Sequence, residues 1–168
     1  NYNGYKASLL EGGHRVPFIV HWPKTIKTKS QCDTMISTND LYSTCVAITG
    51  SKIAANQGVD SYNMLGLLKG EKEHERNNLV MADYSGKMAI RKGDWKLILN
   101  PNPKQRQLFN LAKDVSETAN LYNNPEFKSV ETELMTEITT LIKKGRSTPG
   151  PTQTNDGEPI WKQLYWMK

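Results

Sequence analysis

Apolar residues without alternation occupy positions 18–20 of the segment 18–22, which lies between Pro17 and Pro23. The two prolines favour an extended segment that begins after the first and ends before the second. An apolar run without a polar face is typical of a strand that is covered on both sides, as in a parallel sheet. Gly12 and Gly13 lie just ahead of this run, where the backbone must turn. We therefore predict an interior strand of an α/β domain, entered through a glycine turn.

A helix is predicted next, over residues 38–49. Ser37 and Asp40 resemble a capping box at its start, and Gly50 ends it. Three positions recur on one face and predict the buried side of this helix: Leu41, Cys45 and Ile48.

Beyond residue 78 the pattern changes to short apolar segments separated by turn residues. Four strands are predicted, over residues 79–84, 87–91, 95–99 and 107–111. Gly93 supplies the positive φ that a tight turn between the second and third strands requires. Because the connections are short, we predict an antiparallel meander.

A long helix is predicted over residues 125–144, with Asn124 as N-cap, Pro125 at its first position and Gly145 after its end. Its apolar residues recur at spacings of three and four: Phe127, Val130, Leu134, Ile138 and Leu141. One face is therefore apolar and is expected to cover the sheet. A polar tail follows, and its aromatic segment, residues 160–166, is expected to dock on the domain because so many aromatic side chains are unfavourable in water.

A charged stretch without apolar anchors, residues 71–78, is the predicted boundary between two subdomains. Residues 1–72 are assigned to the end of a large α/β domain. Residues 73–168 are assigned to an α+β subdomain with a four-stranded antiparallel sheet, one packed helix and the tail.

Composition removes several classes of function. The formal charge of the 168 residues is +5, but residues 1–72 hold eight Lys and Arg against five Asp and Glu, and residues 73–168 hold fourteen against twelve. Neither part is a basic stripe, so no nucleic-acid partner is expected. No apolar run approaches the ~20 residues of a membrane span. Of the two cysteines, Cys32 is expected to be free and Cys45 to lie in the core. No Cys, His and Asp spacing is typical of a metal site.

The most specific motif is the segment 4–17, which reads GYKASLLEGGHRVP. Further motifs follow along the chain: STNDL at 37–41, AIRKGDWKLI at 89–98 and LFNL at 108–111. In this order they resemble the type I, formylglycine-dependent sulfatases of the alkaline-phosphatase superfamily, over nearly the whole chain. The resemblance implies that residues 1–72 end a large alkaline-phosphatase-like sheet domain.

The resemblance also implies roles for the residues of segment 4–17. Lys6 matches the lysine that binds the nonbridging oxygens of the sulfate ester, so it is the predicted catalytic residue. A compact ammonium with three donors suits that task. Four residues are predicted to form a structural turn, with an ion pair from the arginine: Glu11, Gly12, Gly13 and Arg15. His14 fills a variable position of the motif and is predicted to contact substrate.

The nucleophile and metal implied by the family are not expected within this chain. Sulfatases form formylglycine from the Cys or Ser of a Cys/Ser-x-Pro/Ala-x-Arg motif, which neither Cys32 nor Cys45 matches. Their metal, usually calcium, is held by residues that precede the lysine motif. The chain is therefore interpreted as the C-terminal portion of an arylsulfatase-like sulfuric ester hydrolase. Its expected partners are the N-terminal half and a sulfated small molecule or saccharide. The expected location is secreted or periplasmic.

Two other classes stay open. A phosphodiesterase or phosphonate-ester hydrolase of the same superfamily would share the topology but carry a different nucleophile motif. A degenerate relative that acts as a binding module would lack the nucleophile or the metal ligands.

Overall fold

The computed structural model describes residues 1–26, 29–71, 76–154, 157 and 162–167. Two compact units divide the chain. The first, here called the sheet unit, comprises Asn1–Val16, Asn78–Lys143 and Asn155–Lys168. The second unit comprises Pro17–Asn77 and Lys144–Thr154. This division has a break close to the predicted boundary at 72, but it places the N-terminal sixteen residues with the sheet and a later segment with the second unit.

Four helices and four strands form the regular structure of the described residues. The helices are α1, Glu11–His14; α2, Asp40–Ile48; α3, Leu65–Leu68; and α4, Lys128–Lys144. The strands are β1, Asn78–Ala82; β2, Met88–Lys92; β3, Trp95–Leu99; and β4, Gln107–Asn110. Short 3-10 turns occupy Pro103–Gln105, Pro125–Phe127 and Lys162–Met167. None of the helices in these described ranges has both the length and the apolar character needed to cross a bilayer.

The four strands pair in the order β1-β2-β3-β4, each antiparallel to the next. The predicted meander and its packed helix are therefore confirmed. Gly93 has a φ of +55° between β2 and β3, as the tight turn requires.

Both faces of the sheet are covered. Side chains alternate along β3, so Leu97 and Leu99 face a core with Leu134 and Ile138 of α4. Ile98 belongs to a second cluster with residues of β2 and β4, the residue after β4 and the N-terminal segment: Ala89, Phe109, Leu111 and Leu9. Lys96 shares the parity of Ile98 and is fully buried. A lysine thus occupies an inward position under the N-terminal segment.

Capping explains the limits of the long helix. The side chain of Asn124 accepts a hydrogen bond from the Glu126 amide, and Pro125 begins the 3-10 turn that leads into α4. Gly145 follows α4 with a φ of +66°.

In the tail, Leu164 and Trp166 pack on the core and the Trp166 Nε1 donates to Thr139 Oγ1 at 3.2 Å. The predicted docking is confirmed over 162–167; residues 160 and 161 lie outside the described residues.

The strand predicted over 18–22 is wrong for the described chain. Residues 18–22 form no strand and pair with none of the described strands, and Ile19 is 90% exposed. A strand requires a hydrogen-bonded neighbour, which an apolar pattern cannot supply by itself. The segment instead lines a groove of about 690 Å³ within the second unit, together with Met64, Leu67 and Leu68.

The predicted buried face of α2 is also wrong. Leu41, Cys45 and Ile48 are exposed, whereas Asp40 and Thr44 are buried. Asp40 forms an ion pair with Arg76 at 2.6 Å and accepts hydrogen bonds from the backbone amides of Tyr62 and Ser37, while Ser43 exchanges two hydrogen bonds with Ser61. Satisfied polar groups thus hold the inner face. Both cysteines, Cys32 included, are free and exposed, so the core position expected for Cys45 is wrong as well.

Candidate functional site

Lys6 lies in a β-turn at the start of segment 4–17. The amide of Ser8 donates to the carbonyl of Tyr5 at 3.0 Å, and Ala7, the third residue of the turn, has a φ of +74°. A positive φ at this position alone is the mark of a type II turn, where glycine is usual. An alanine there costs roughly 1–2 kcal/mol, so neighbouring contacts must hold the turn. The Lys6 side chain is exposed.

Gly12 and Gly13 allow α1 to lie directly against the lysine turn, residues 5–8, and the two residues before it. The Gly12 amide donates to the Asn3 carbonyl at 2.7 Å. A Cβ on Gly12 would lie 2.6 Å from the Gly4 carbonyl oxygen, and one on Gly13 would lie 2.1 Å from that of Ser8. Both contacts are to backbone atoms, which cannot rotate away. Any larger residue at either position would therefore push α1 off the turn.

Three buried charged side chains, Glu11, Lys96 and Glu117, form what we call the buried clamp. Lys96 Nζ donates to Glu11 Oε1 at 3.0 Å and to Glu117 Oε1 at 2.7 Å. The other oxygen of Glu117 accepts a hydrogen bond from the Glu11 backbone amide at 2.6 Å. The clamp therefore ties the first residue of α1 to β3 and to the loop after β4.

Two arginines surround the second oxygen of Glu11. Arg91 Nη1, on β2, lies 3.6 Å from Oε2, and Arg15 Nη1 lies 3.4 Å from the same atom. Arg15 is nearly half exposed and its guanidinium lies over the Tyr2 ring, 4.5 Å from the centroid. Burial alone would raise the pKa of Glu11, but Lys96, helped by Arg91, holds this pKa below its ordinary value.

His14 adjoins the clamp. Its Nε2 lies 3.1 Å from Lys96 Nζ and 3.6 Å from Glu11 Oε1. An ammonium has only donors, so Nε2 must accept and the imidazole is neutral with its proton on Nδ1. Burial lowers the pKa of His14, and Lys96 lowers it further, against smaller opposing effects of Glu11 and the Leu9 backbone. With its Nε2 engaged by Lys96 and its side chain 28% exposed, His14 has limited surface for the predicted substrate contact.

We predict that the sheet unit loses stability on acidification. The folded-state pKa of His14 lies below its ordinary 6.5 and that of Glu11 below 4.5, so the unfolded chain takes up each proton first. Each contribution is present above the ordinary pKa and is lost as the pH falls through the folded value. Amide exchange of β3, measured from neutral pH to about pH 4, checks this.

The control for this prediction is His14→Gln, whose amide oxygen can still accept from Lys96 but does not titrate. This variant should lose the part of the pH dependence that begins near pH 6.5 and keep the more acidic part. Stability that rises on acidification in the wild-type protein would contradict the prediction.

The structure does not group three or more potential metal ligands among His, Cys, Asp and Glu within the described ranges. The candidate site consists of the exposed Lys6 on its turn and the buried clamp.

Comparison with known proteins agrees with the sequence motifs. The profile of the family described as "N-sulphoglucosamine sulphohydrolase, C-terminal" matches residues 5–144. The chain therefore belongs to this sulfatase C-terminal family. It is 29% identical over 154 residues to an N-acetylgalactosamine-6-O-sulfatase of Bacteroides thetaiotaomicron, covering 83% of the chain and 30% of that relative. It is 24% identical over 175 residues to an ulvan-active sulfatase of Formosa agariphila, covering 82% and 35%.

Comparison with solved structures also finds similarity over most of the chain. A protein of Bacteroides thetaiotaomicron, solved in work on metabolism of multiple glycosaminoglycans, matches with a TM-score of 0.74 and 28% identity, over 83% of the chain and 32% of its own. Ps i-CgsB in complex with k-i-k-neocarrahexaose matches with a TM-score of 0.69 and 29% identity, over 91% and 34%. The chain thus spans about a third of the length of these relatives.

Sequence reasoning missed Lys96 and Glu117. Lys96 falls in the segment 89–98, which resembles the family, and Glu117 follows the segment 108–111, but the sequence assigns a role to neither. The available signal was a lysine inside the apolar strand sequence WKLIL, at a position with the same parity as Ile98. A charge at an inward position of a strand requires a buried partner.

Proposed function

We propose that the chain is the C-terminal part of an enzyme that hydrolyses sulfate monoesters of a saccharide to the alcohol and inorganic sulfate. The observation that carries this proposal is Lys6, exposed on a strained turn that is braced by α1. Strained backbone persists where its surroundings determine it, and it is common at functional sites. The similarity to sulfatases supplies the reaction class.

Within this proposal Lys6 stabilises charge on the sulfuryl group. Its ammonium donates to the nonbridging oxygens, which gain negative charge as the ester bond breaks. A fixed turn lets this donor act without reorganisation during the reaction. Formylglycine would supply the nucleophile and calcium would polarise the sulfate in the remainder of the enzyme.

A sulfated saccharide is the proposed substrate class. The names of two relatives specify N-acetylgalactosamine-6-O-sulfate and ulvan, and Ps i-CgsB was solved with a neocarrahexaose. We propose a secreted or periplasmic location, where such polysaccharides are met.

The proposal is tested by sulfate release from a panel of substrates. The full-length protein should release sulfate from a sulfated saccharide faster than phosphate from matched phosphate monoesters or diesters. The opposite preference would favour the phosphodiesterase alternative. Saccharide binding without turnover of any ester would favour the binding module.

The isolated 168-residue chain is predicted to be inactive in the same assay. One positioned lysine cannot replace an activated nucleophile. Sulfate release should stay at the level of a Lys6→Ala version of the isolated chain at every calcium concentration. Calcium-dependent release above that control would contradict the prediction.

A further inference from the structure

A continuous path of contacts links the sheet to the lysine turn. Lys96 on β3 binds both clamp carboxylates, and Glu117 binds the backbone amide of Glu11. Glu11 begins α1, whose Gly12 donates to Asn3 and lies against Gly4. The Ser8 hydroxyl, at the end of the lysine turn, accepts from the Leu10 amide at 3.0 Å. Every step is a hydrogen bond or a backbone contact.

The geometry of Glu117 is specialised for this path. Its φ is +52°, an uncommon value for a residue with a side chain, and its carboxylate is buried. The adjacent Ser116 donates to the Asn1 carbonyl at 2.7 Å, so this loop holds the N-terminal segment at two points. Charged groups are costly to bury, and apolar residues of similar volume often stabilise a core as well or better. Stability alone is therefore a weak reason for three buried charges here.

We propose that Lys96 and Glu117 are positioning residues that act through Glu11 to hold the Lys6 turn in its reactive geometry. The inference rests on the proposed sulfatase function. The titratable and charged groups of the sheet unit that face the clamp come from α1, the residue after it and β2: His14, Arg15 and Arg91. The two arginines complete the charge balance around Glu11, and the neutral His14 accepts from Lys96.

The test is a double-mutant cycle in the full-length protein with Glu117→Gln and Lys6→Ala. Lys96 Nζ and the Glu11 amide donate to different oxygens of Glu117, and in glutamine, which has nearly the same volume, an NH2 replaces one of these oxygens, so a donor then faces a donor. Glu117→Gln should lower kcat on the order of 10²-fold with little change in KM, since a small misplacement of a catalytic group can have that effect. In the Lys6→Ala background the same substitution should lower kcat by less than about threefold.

Two variants serve as references. Glu133→Gln removes an exposed carboxylate that pairs with Lys92 and should leave kcat unchanged. Glu117→Asp keeps the charge and both oxygens on a shorter side chain, so it should stay folded and lose less activity than Glu117→Gln. Amide exchange provides a readout besides activity: the amides of Ser8, Gly12 and Gly13 should lose protection in Glu117→Gln while those of β1 and β2 keep it.

The outcomes separate the two proposals. Equal losses from Glu117→Gln with and without Lys6, or unchanged exchange of the turn, overturn the positioning role. A wild-type protein that hydrolyses no sulfate ester overturns the proposed function and the catalytic part of this inference. The exchange comparison then still decides whether the clamp orders the turn.

Discussion

In the full-length protein, Lys6→Ala is expected to lower kcat for a sulfate ester by on the order of 10²–10³-fold, by analogy with deletion of one oxyanion donor. The ammonium contributes mainly as charge develops on the sulfuryl oxygens, so KM should change less than kcat. The fold should be retained because the side chain is exposed and the turn is held by backbone contacts. Steady-state kinetics, with thermal melts to verify folding, measures this effect.

The matched variant for this prediction is Lys6→Arg. It keeps the positive charge, but a planar guanidinium does not fit the space of a compact ammonium, so we expect little recovery of kcat. A Lys6→Ala protein with near wild-type kcat/KM would contradict the catalytic role. Lys6 would then be an ordinary surface lysine.

The sheet could be predicted because its determinants are local. Short apolar segments, Gly93 in the turn and the Asn124 cap each act over a few residues, and short connections pair consecutive strands. The observed strands differ from the predicted bounds by at most two residues, which is the ordinary uncertainty of a strand end.

The second unit was less predictable because the residues that contact each other within it lie far apart in the sequence. The inner face of α2 is defined by Arg76, 36 residues from Asp40, and not by the apolar residues of the helix itself. Similarly, residues 18–22 read as a strand by composition, but pairing depends on a neighbour that the pattern does not identify.

The candidate site likewise has one part that the sequence predicts and one part that it does not. Segment 4–17 is contiguous, so its motif could be found from sequence. The clamp depends on Lys96, 85 residues from Glu11, and on Glu117, a further 21 residues away. Their contact arises from the register that places Lys96 opposite Phe109 and from the packing of Leu9 over this face of the sheet.

Lys96→Met is expected to destabilise the sheet unit by about 3–5 kcal/mol, because removal of one partner leaves buried charge uncompensated. Glu11 and Glu117 would face each other at the sheet without the ammonium between them. Lys92→Met is the matched control. Its lysine pairs with two carboxylates that keep contact with solvent, Glu133 at 60% exposure and Glu137 at 29%, so the loss should not exceed about 1 kcal/mol. Amide exchange of β3 reports the opening free energy in both variants.

The pH dependence distinguishes this electrostatic cause from a simple packing defect. In Lys96→Met, the ammonium no longer offsets burial, so the pKa of Glu11 should rise from its lowered value. The pKa of His14 should rise as well, because Lys96 lowers it in the wild-type protein, but burial still holds it down. A less depressed pKa contributes less stability above the ordinary value, so less is lost as the pH falls. Acidification from neutral pH should therefore destabilise the variant less than it destabilises the wild-type protein. Parallel pH profiles for the two proteins would show that the clamp carries no electrostatic coupling.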